Sequence, residues 1–506
     1  MQHRYVRPVA VAAVAAIAAT TFSACSTPSS TQKTQKTLTI TDIYEKEWGQ
    51  SLEAAAADYT KAHPDVTVKV QTLPYAGYQP ALQTQFVGGA APDIALIEPP
   101  AITDFSARGF LAPLTSALDE KTNSGQAWRT TFVGTSVSSM KAQDAKEYTV
   151  PWSRIHLKVL YRPDIFKAAG INTYPATWSE FLKANQTLQD KGMKPLLYNL
   201  TGNDASTWWE LTPSLEALYR PDTAKINLRH AKGWNFNADD PASVSGEVYT
   251  ADEKYVAFVN GIIDPAKSPE YRRAIELILQ LKPLLGPTSE FMSASRGAQS
   301  HAAFIAGTTP QMVTTPGAVS SVLAEAKKGG KDIPIETAEQ PSLTQQDWPG
   351  LTAGGVNPIA AVRNGFVVNA ASKNKDLAID FLKFATTPKE VTAIYTKGWS
   401  KTDPTLFTIP DPSAVTGVSY PKGTSLVDKP VKTYAQISLY GFGMPPTYDQ
   451  QDFDQFTSQF QKLFGGQVGI DEFLKERSVS NLAALKRNLS VYSSEVDQKF
   501  IDENTK

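Results

Sequence analysis

Thiol and imidazole side chains are scarce in this chain of 506 residues, which holds a single cysteine, Cys25, and five histidines, His3, His63, His156, His230 and His301. One thiol cannot build an internal disulfide framework, and the histidines show no zinc-ligand spacing, so neither a metal nor a cofactor is expected. The motifs G-x-S-x-G and H-E-x-x-H are absent, which removes the sequence support for a hydrolase triad or a zinc peptidase. An excess of charge is missing too. Lys and Arg number 49 against 50 Asp and Glu, giving a net charge of −1 and no basic field for nucleic acid. Long hydrophobic runs are also lacking, since no stretch is apolar for the roughly eighteen residues that a membrane-spanning helix needs.

The longest apolar run is the short one from Val9 to Ala19, preceded by His3, Arg4 and Arg7 and followed by Phe22-Ser23-Ala24-Cys25. A basic start, a short apolar run and small residues before the cysteine read as a signal peptide over 1–24. The last four residues resemble the bacterial lipobox, with Phe22 in place of the usual Leu. In such a segment the cysteine is lipidated and becomes the mature N-terminus, which accounts for an unpaired thiol in an exported chain. Lipid on Cys25 would then hold the protein at a cell membrane, facing the extracytoplasmic side. The Ser-, Thr-, Gln-, Lys- and Pro-rich stretch after it is read as a flexible tether over 25–37.

From Leu38 the pattern alternates strand and helix. Leu38 to Ile43 is a strand; the helix from about Gln50 buries Leu52, Ala55, Ala56 and Tyr59 before Pro64; Val66, Val68 and Val70 alternate as a second strand; Ile94 to Ile97 is a third. This order predicts a mostly parallel sheet with helices on both faces. Lys194 to Asn199 and Gly365 to Val368 are further predicted strands. Phe453, Phe456, Phe460, Leu463 and Phe464 mark one face of a helix ending at Gly465-Gly466.

Between Tyr148 and Phe181 the sequence places Pro151 after a short extended segment, predicting that the chain leaves one sheet there and enters another. A strand over Leu157 to Tyr161, a helix stopping at Gly170 and a capping box of Thr177 with Glu180 follow. This order, together with the phrases H-P-D-V-T-V-K-V, G-G-A-A-P-D-I-A, G-F-L-A-P-L and A-A-F-I-A-G-T-T-P-Q-M-V, resembles the family 1 extracellular solute-binding proteins, the carbohydrate-binding lipoproteins of bacterial ABC importers that include maltose-binding protein. Gln311 stands where that family usually has a small residue. The resemblance implies an α/β, two-lobed periplasmic-binding-protein-like fold (type II), each lobe a mostly parallel sheet flanked by helices. The expected lobes are 38–148 with 354–400, and 149–353 with 401–506. Three hinge crossings are expected near Tyr148 to Trp152, Gly350 to Gly354 and Trp399 to Pro404, and the polar stretches 222–255 and 403–432 look like insertions.

Catalytic readings have weaker support. Ser138-Ser139-Met140-Lys141 fits S-x-x-K without the partner motifs of penicillin-interacting enzymes, Gly441-Phe442-Gly443 lacks the last glycine of a dinucleotide loop, and Asp239-Asp240 are adjacent acids in a polar stretch. No catalytic residue is assigned. The sequence has tryptophans in predicted loops, and a sugar site needs aromatic platforms with planar donors and acceptors on walls that close over the ligand. Tyr44, Glu45 and Trp48 follow the first strand and Glu98 follows the third, at carboxyl ends where open α/β sheets bind ligands. Trp152 and Arg154 lie just past Pro151. Asn203, Asp204, Trp208 and Trp209 form a segment that resembles the family's second-lobe sugar site, while Gly317 and Trp399 complete the candidate set. Trp128, Trp178 and Trp234 are read as core. The function expected from all this is capture of a sugar or oligosaccharide for delivery to the permease of an ABC importer. A surface-anchored glycan-processing enzyme, or a binding protein for a sugar phosphate or another polar solute, remains the alternative.

Overall fold

The structure, a computed structural model, describes residues 35–43, 51–74, 77–122, 125–134, 136–137, 140–142, 144, 146–197, 206–229, 237, 249–285, 296–314, 316–351, 360–401, 412–420, 450–491, 493 and 496–506. Eight strands lie among them: β1 (Lys36–Asp42), β2 (Val66–Thr72), β3 (Ile94–Ile97), β4 (Thr149–His156), β5 (Lys158–Tyr161), β6 (Gln311–Thr314), β7 (Glu336–Ala338) and β8 (Ala360–Val368). They form one five-stranded sheet in the order β2-β1-β3-β8-β4 and one three-stranded sheet in the order β6-β5-β7.

The first sheet grows from the predicted alternation. Leu38 and Ile40 of β1 and all four residues of β3 are buried, because helices cover the sheet. Helix Glu53–Ala62 contributes Ala55, Ala56 and Tyr59, and helix Lys375–Ala385 contributes Ala378, Phe381, Leu382 and Ala385. The two helices are tied together where the Tyr59 hydroxyl donates to Asp380. Pairing of β1 with β2 and β3 is parallel, but β8 is antiparallel to both β3 and β4. In the second sheet β5 pairs antiparallel with both neighbours. Sheet direction is therefore mixed among the described strands, a correction to the mostly parallel expectation. The reason is topological, since β8 returns to the first sheet after the strands of the second and runs opposite to β3 and β4.

Two further expectations change. The chain does not leave the first sheet at Pro151: β4 stays beside β8 to His156, with register shifts between Pro151 and Ser153 and between Ser153 and Arg154, and only Lys158 enters the second sheet. Proline removes one ladder donor, and a bulge absorbs the loss without ending the strand. Lys194 to Leu197 forms no strand, because Pro195 cannot donate to a ladder; its carbonyl instead accepts from Nε2 of buried Gln311 at 3.2 Å.

The second lobe is held by a helical core. Trp178, Phe181, Leu211, Leu215, Leu218, Tyr271, Ile275, Ile278, Phe456, Phe460 and Phe464 belong to one buried cluster. The Thr177–Glu180 capping box is present, and Gly170 takes φ 85°, which ends the preceding helix. Trp178 is core as expected, its Nε1 donating to Gln280 Oε1 at 2.8 Å; so is Trp128, whose Nε1 donates to Thr386 Oγ1 at 2.9 Å. Ala414 and Val415 pack in the first core, in a segment whose Ser413 forms a bridge with Ser153 of β4.

One buried titratable group makes stability depend on pH. Burial pushes the Lys254 ammonium down to about 8, against the opposing field of Glu253. The unfolded chain holds that proton up to about 10.5, so the folded state is penalised at neutral pH and the penalty fades as pH rises from about 8 towards 10.5. Lys254→Met abolishes the effect. Between pH 8 and 10, chemical denaturation is expected to show wild type gaining on this variant by about 2 kcal/mol. The buried tyrosines act with the opposite sign, but only above their ordinary range near 10, and equally in both proteins.

Candidate functional site

The strand registers place several of the predicted residues in one row. Ile97 of β3 and Pro151 of β4 both face Gly365 of β8, so the three are level across the sheet. One step further along each strand come Glu98, Asn364 and, across the bulge, Trp152 with Ser153. Since β3 and β4 both run antiparallel to β8 they are parallel to each other, and Glu98 and Trp152 share the carboxyl edge of the first sheet. Asp42 ends β1 on the same side. Its carboxyl is fully buried and its Oδ1 accepts from Thr72 Oγ1 at 3.0 Å. Tyr78 seals the strand ends, its hydroxyl lying 3.1 Å from the Thr41 carbonyl and 2.8 Å from that of Leu96.

Glu98 occupies the position before helix Pro99–Ala107, which Pro99 starts with its fixed φ, and the Ala101 amide donates to the Glu98 carbonyl at 3.0 Å. Trp152 is 2% exposed and meets Phe366 edge-on at 5.3 Å; its Nε1–H has no acceptor among the described residues. Next to it Ser153 Oγ donates to Asn364 Oδ1 at 2.8 Å. Arg154 is only part-buried, and its Nε donates to the Ser413 carbonyl at 3.1 Å.

The second sheet presents a matching row. Lys158 of β5 faces Thr314 at the end of β6, and the pairing of Val159 with Ala338 puts Glu339 beside Lys158 on the other side. Lys158 is 2% exposed. Burial raises the Glu339 carboxyl above its ordinary value, and the Lys158 ammonium opposes that rise. Because β5 starts where the crossing from the first sheet arrives, this row is the edge of the second sheet nearest the first. Gly317 follows at once, in the first turn of helix Pro316–Lys328. Sequence reading missed Lys158, Glu339, Asn364 and Ser153, since strand residues without a motif carry no local mark of which sheet edge they occupy.

Trp208 and Trp209 begin helix Ser206–Tyr219, three and two residues before buried Leu211, and Trp399 lies in helix Pro388–Lys401, one turn after buried Tyr395. Gln311 ties β6 to the helix Trp178–Asp190 and to Tyr174: its Oε1 accepts from the Tyr174 hydroxyl at 2.6 Å, and its Nε2 also reaches Asn185. A side chain that fills and hydrogen-bonds this space is the structural reason for glutamine there. Cys25, Tyr44, Glu45, Trp48, Asn203 and Asp204 lie outside the described residues, as do Trp234 and the Asp239-Asp240 pair. Among the described residues no group of three or more His, Cys, Asp or Glu could hold a metal ion, and no helix is long and apolar enough to cross a membrane.

A family model described as bacterial extracellular solute-binding protein matches residues 43–392. The chain belongs to that family. Among curated relatives, this solute-binding protein is 24% identical to the diacetylchitobiose binding protein DasA of Streptomyces coelicolor over 347 residues, 67% of this chain and 68% of that one. Binding proteins of Brucella abortus are 23% identical over 164 residues, and that match spans only 38% of their length. Among solved structures it is similar to a family 1 extracellular solute-binding protein from Bifidobacterium longum subsp. infantis (TM-score 0.61, 18% identity, 88% of this chain and 98% of that one). It is equally similar to the sugar-binding protein MalE from Xanthomonas citri (TM-score 0.61, 15% identity, 91% and 100%). The two-lobed α/β fold is the one that these binding proteins share.

Proposed function

We propose that this solute-binding protein captures a sugar or oligosaccharide between its lobes and delivers it to the permease of an ABC importer. The observation that carries the reading is the pair of polar rows: Glu98 and Asn364 beside Trp152 at the carboxyl edge of the first sheet, and Lys158, Thr314 and Glu339 level with the start of β5, where the chain crosses to the second sheet. Carboxylate, amide, ammonium and hydroxyl groups match the hydroxyl rings of a saccharide, and the tryptophans proposed below would supply the platforms for its flat C–H faces. DasA, matched over two thirds of this chain, is named for a sugar ligand. Closure is a hinge motion, with the ligand favouring the closed form by touching both walls. We place the lobe boundary of the first crossing at Leu157 and assign 412–420 to the first lobe; pairing of β4 with β8 and the burial of Ala414 and Val415 support this.

The protein binds its sugar without consuming it, so a ligand incubated with it is expected to be recovered unchanged. A thermal-shift screen over neutral and acidic mono- and oligosaccharides tests the reading, since a ligand at a hundred times its dissociation constant adds about 2.7 kcal/mol. No stabilisation by any saccharide would reject it. Within the site, Tyr44, Glu45, Trp48, Asn203, Asp204, Gly317 and Trp399 are proposed ligand contacts along with the two rows. Trp208→Ala or Trp209→Ala is expected to weaken binding by at least about tenfold, because truncating an aromatic platform in a closed cleft commonly costs about 2 kcal/mol. Core packing predicts the reverse pattern, a lowered ligand-free melting temperature with affinity unchanged.

Export and a lipid anchor at Cys25 are also proposed. Cys25→Ser is expected to release the protein from membranes with affinity intact. Continued fractionation with membranes after a high-salt wash would exclude that anchor.

A further inference from the structure

Several of the described arginines are held by acids. Arg477 pairs with Asp452, Arg129 with Asp119 and Glu147, Arg162 with Asp164, and Arg229 with Asp252. Arg154 is different. Its backbone N–H donates to the Pro412 carbonyl at 2.7 Å and its Nε to the Ser413 carbonyl at 3.1 Å, so a neutral acceptor, not an acid, holds the guanidinium. The titratable groups acting on it are the phenols of Tyr420 and Tyr395, which are uncharged at neutral pH, and burial draws its pKa down. Those two rings meet edge to face at 5.0 Å, and the Tyr420 hydroxyl accepts from the Ser413 amide at 2.8 Å. A fixed, part-buried cation therefore has no described carboxylate to balance it, while an arginine always keeps its charge at physiological pH.

Its place in the fold gives the charge a use. Arg154 lies on β4 beyond the level of Ile97 and Gly365 and before Lys158, in the stretch that carries the chain from the first sheet to the second. A solute touching both rows passes this stretch. With Nε taken by Ser413, the guanidinium keeps its Nη1 and Nη2 edge, whose two parallel N–H groups fit the two oxygens of one carboxylate. Lys158 adds no net charge, because Glu339 stands beside it.

We propose that Arg154 recognises an anionic group on the solute, and that the ligand is an acidic saccharide whose carboxylate takes the Nη edge. One uncompensated positive charge matches one carboxylate, whereas the dianion of a phosphate ester would leave an excess negative charge in the crossing. This rests on the sugar-binding reading above and narrows it to uronic-acid sugars.

The test is calorimetric titration of the mature chain with matched pairs: galactobiose against digalacturonate, and xylotriose against glucuronic-acid-substituted xylotriose. The acidic member of at least one pair is expected to bind at least tenfold more tightly. In Arg154→Met the difference is expected to fall below threefold, and Arg154→Lys should lie between, because a point charge keeps attraction without the fork. Ligand-free melting of each variant monitors the fold, and the wild-type comparison stands even if a variant does not fold. Equal or tighter binding of the neutral members overturns the inference and leaves the sugar-binding reading in place. Equal loss of both members in Arg154→Met overturns it too, since that is the result of a strut for residues 412–413. Tighter binding of galactose 1-phosphate than of galacturonate overturns the assignment to a carboxylate. No binding of any probe overturns this inference and the sugar-binding reading together.

Discussion

Asp452→Ala is expected to destabilise the second lobe by roughly 3–5 kcal/mol, the cost of leaving a buried charge without its partner. Asp452 and Arg477 are 0% and 1% exposed, with Nη2 and Oδ1 3.0 Å apart. The guanidinium also donates to Gln459 Oε1 at 3.0 Å, reaches Asn481, and lies 4.8 Å from the centre of the Phe456 ring. Alanine removes the anion and keeps the cation inside the core formed by helices Gln450–Phe464 and Ile470–Val491. A fall in melting temperature of about 10 °C is expected for a lobe of this size. The double variant Asp452→Leu with Arg477→Met is expected to regain most of that loss, because it buries no charge. If the single variant melts like wild type, the pair is not held out of water as the structure shows.

Gly365→Ala is the second large effect. A Cβ built there would stand 2.4 Å from the Val150 carbonyl oxygen and 2.5 Å from Thr149 Cγ2, within the pairing of β8 with β4. Neither neighbour is a flexible side-chain end that could swing aside. The strands must separate one step before the row that holds Glu98, Asn364 and Trp152, which shifts with them, and the cost is expected at the upper end of overpacking, about 3 kcal/mol. Because the displaced row is the proposed first wall, affinity for a saccharide is expected to fall in parallel with melting temperature, by roughly tenfold or more. Melting and titration measured on the same sample check both, and a variant with wild-type melting would show that the two strands stand further apart.

Much of this architecture is legible in the one-dimensional pattern, because local physics sets it. Alternation in Val66, Val68 and Val70, the Thr177 capping box, the glycine stop at Gly170 and the phenylalanine face ending at Gly465 each depend on neighbours within a few residues, and each appears as expected. The motifs between Tyr148 and Phe181 were enough to indicate the family. Strand direction, the point of crossing and the partners of charges depend on residues far apart in sequence, and these only the tertiary structure decided. Pro151 reads locally as a strand end, yet Gly365, 214 positions later, lets β4 continue past it because no Cβ blocks the approach. Arg154 and Arg477 are alike as sequence: one is neutralised by Asp452, while the other has carbonyls and phenols as its partners among the described residues, since pairing is a property of the space into which the chain folds.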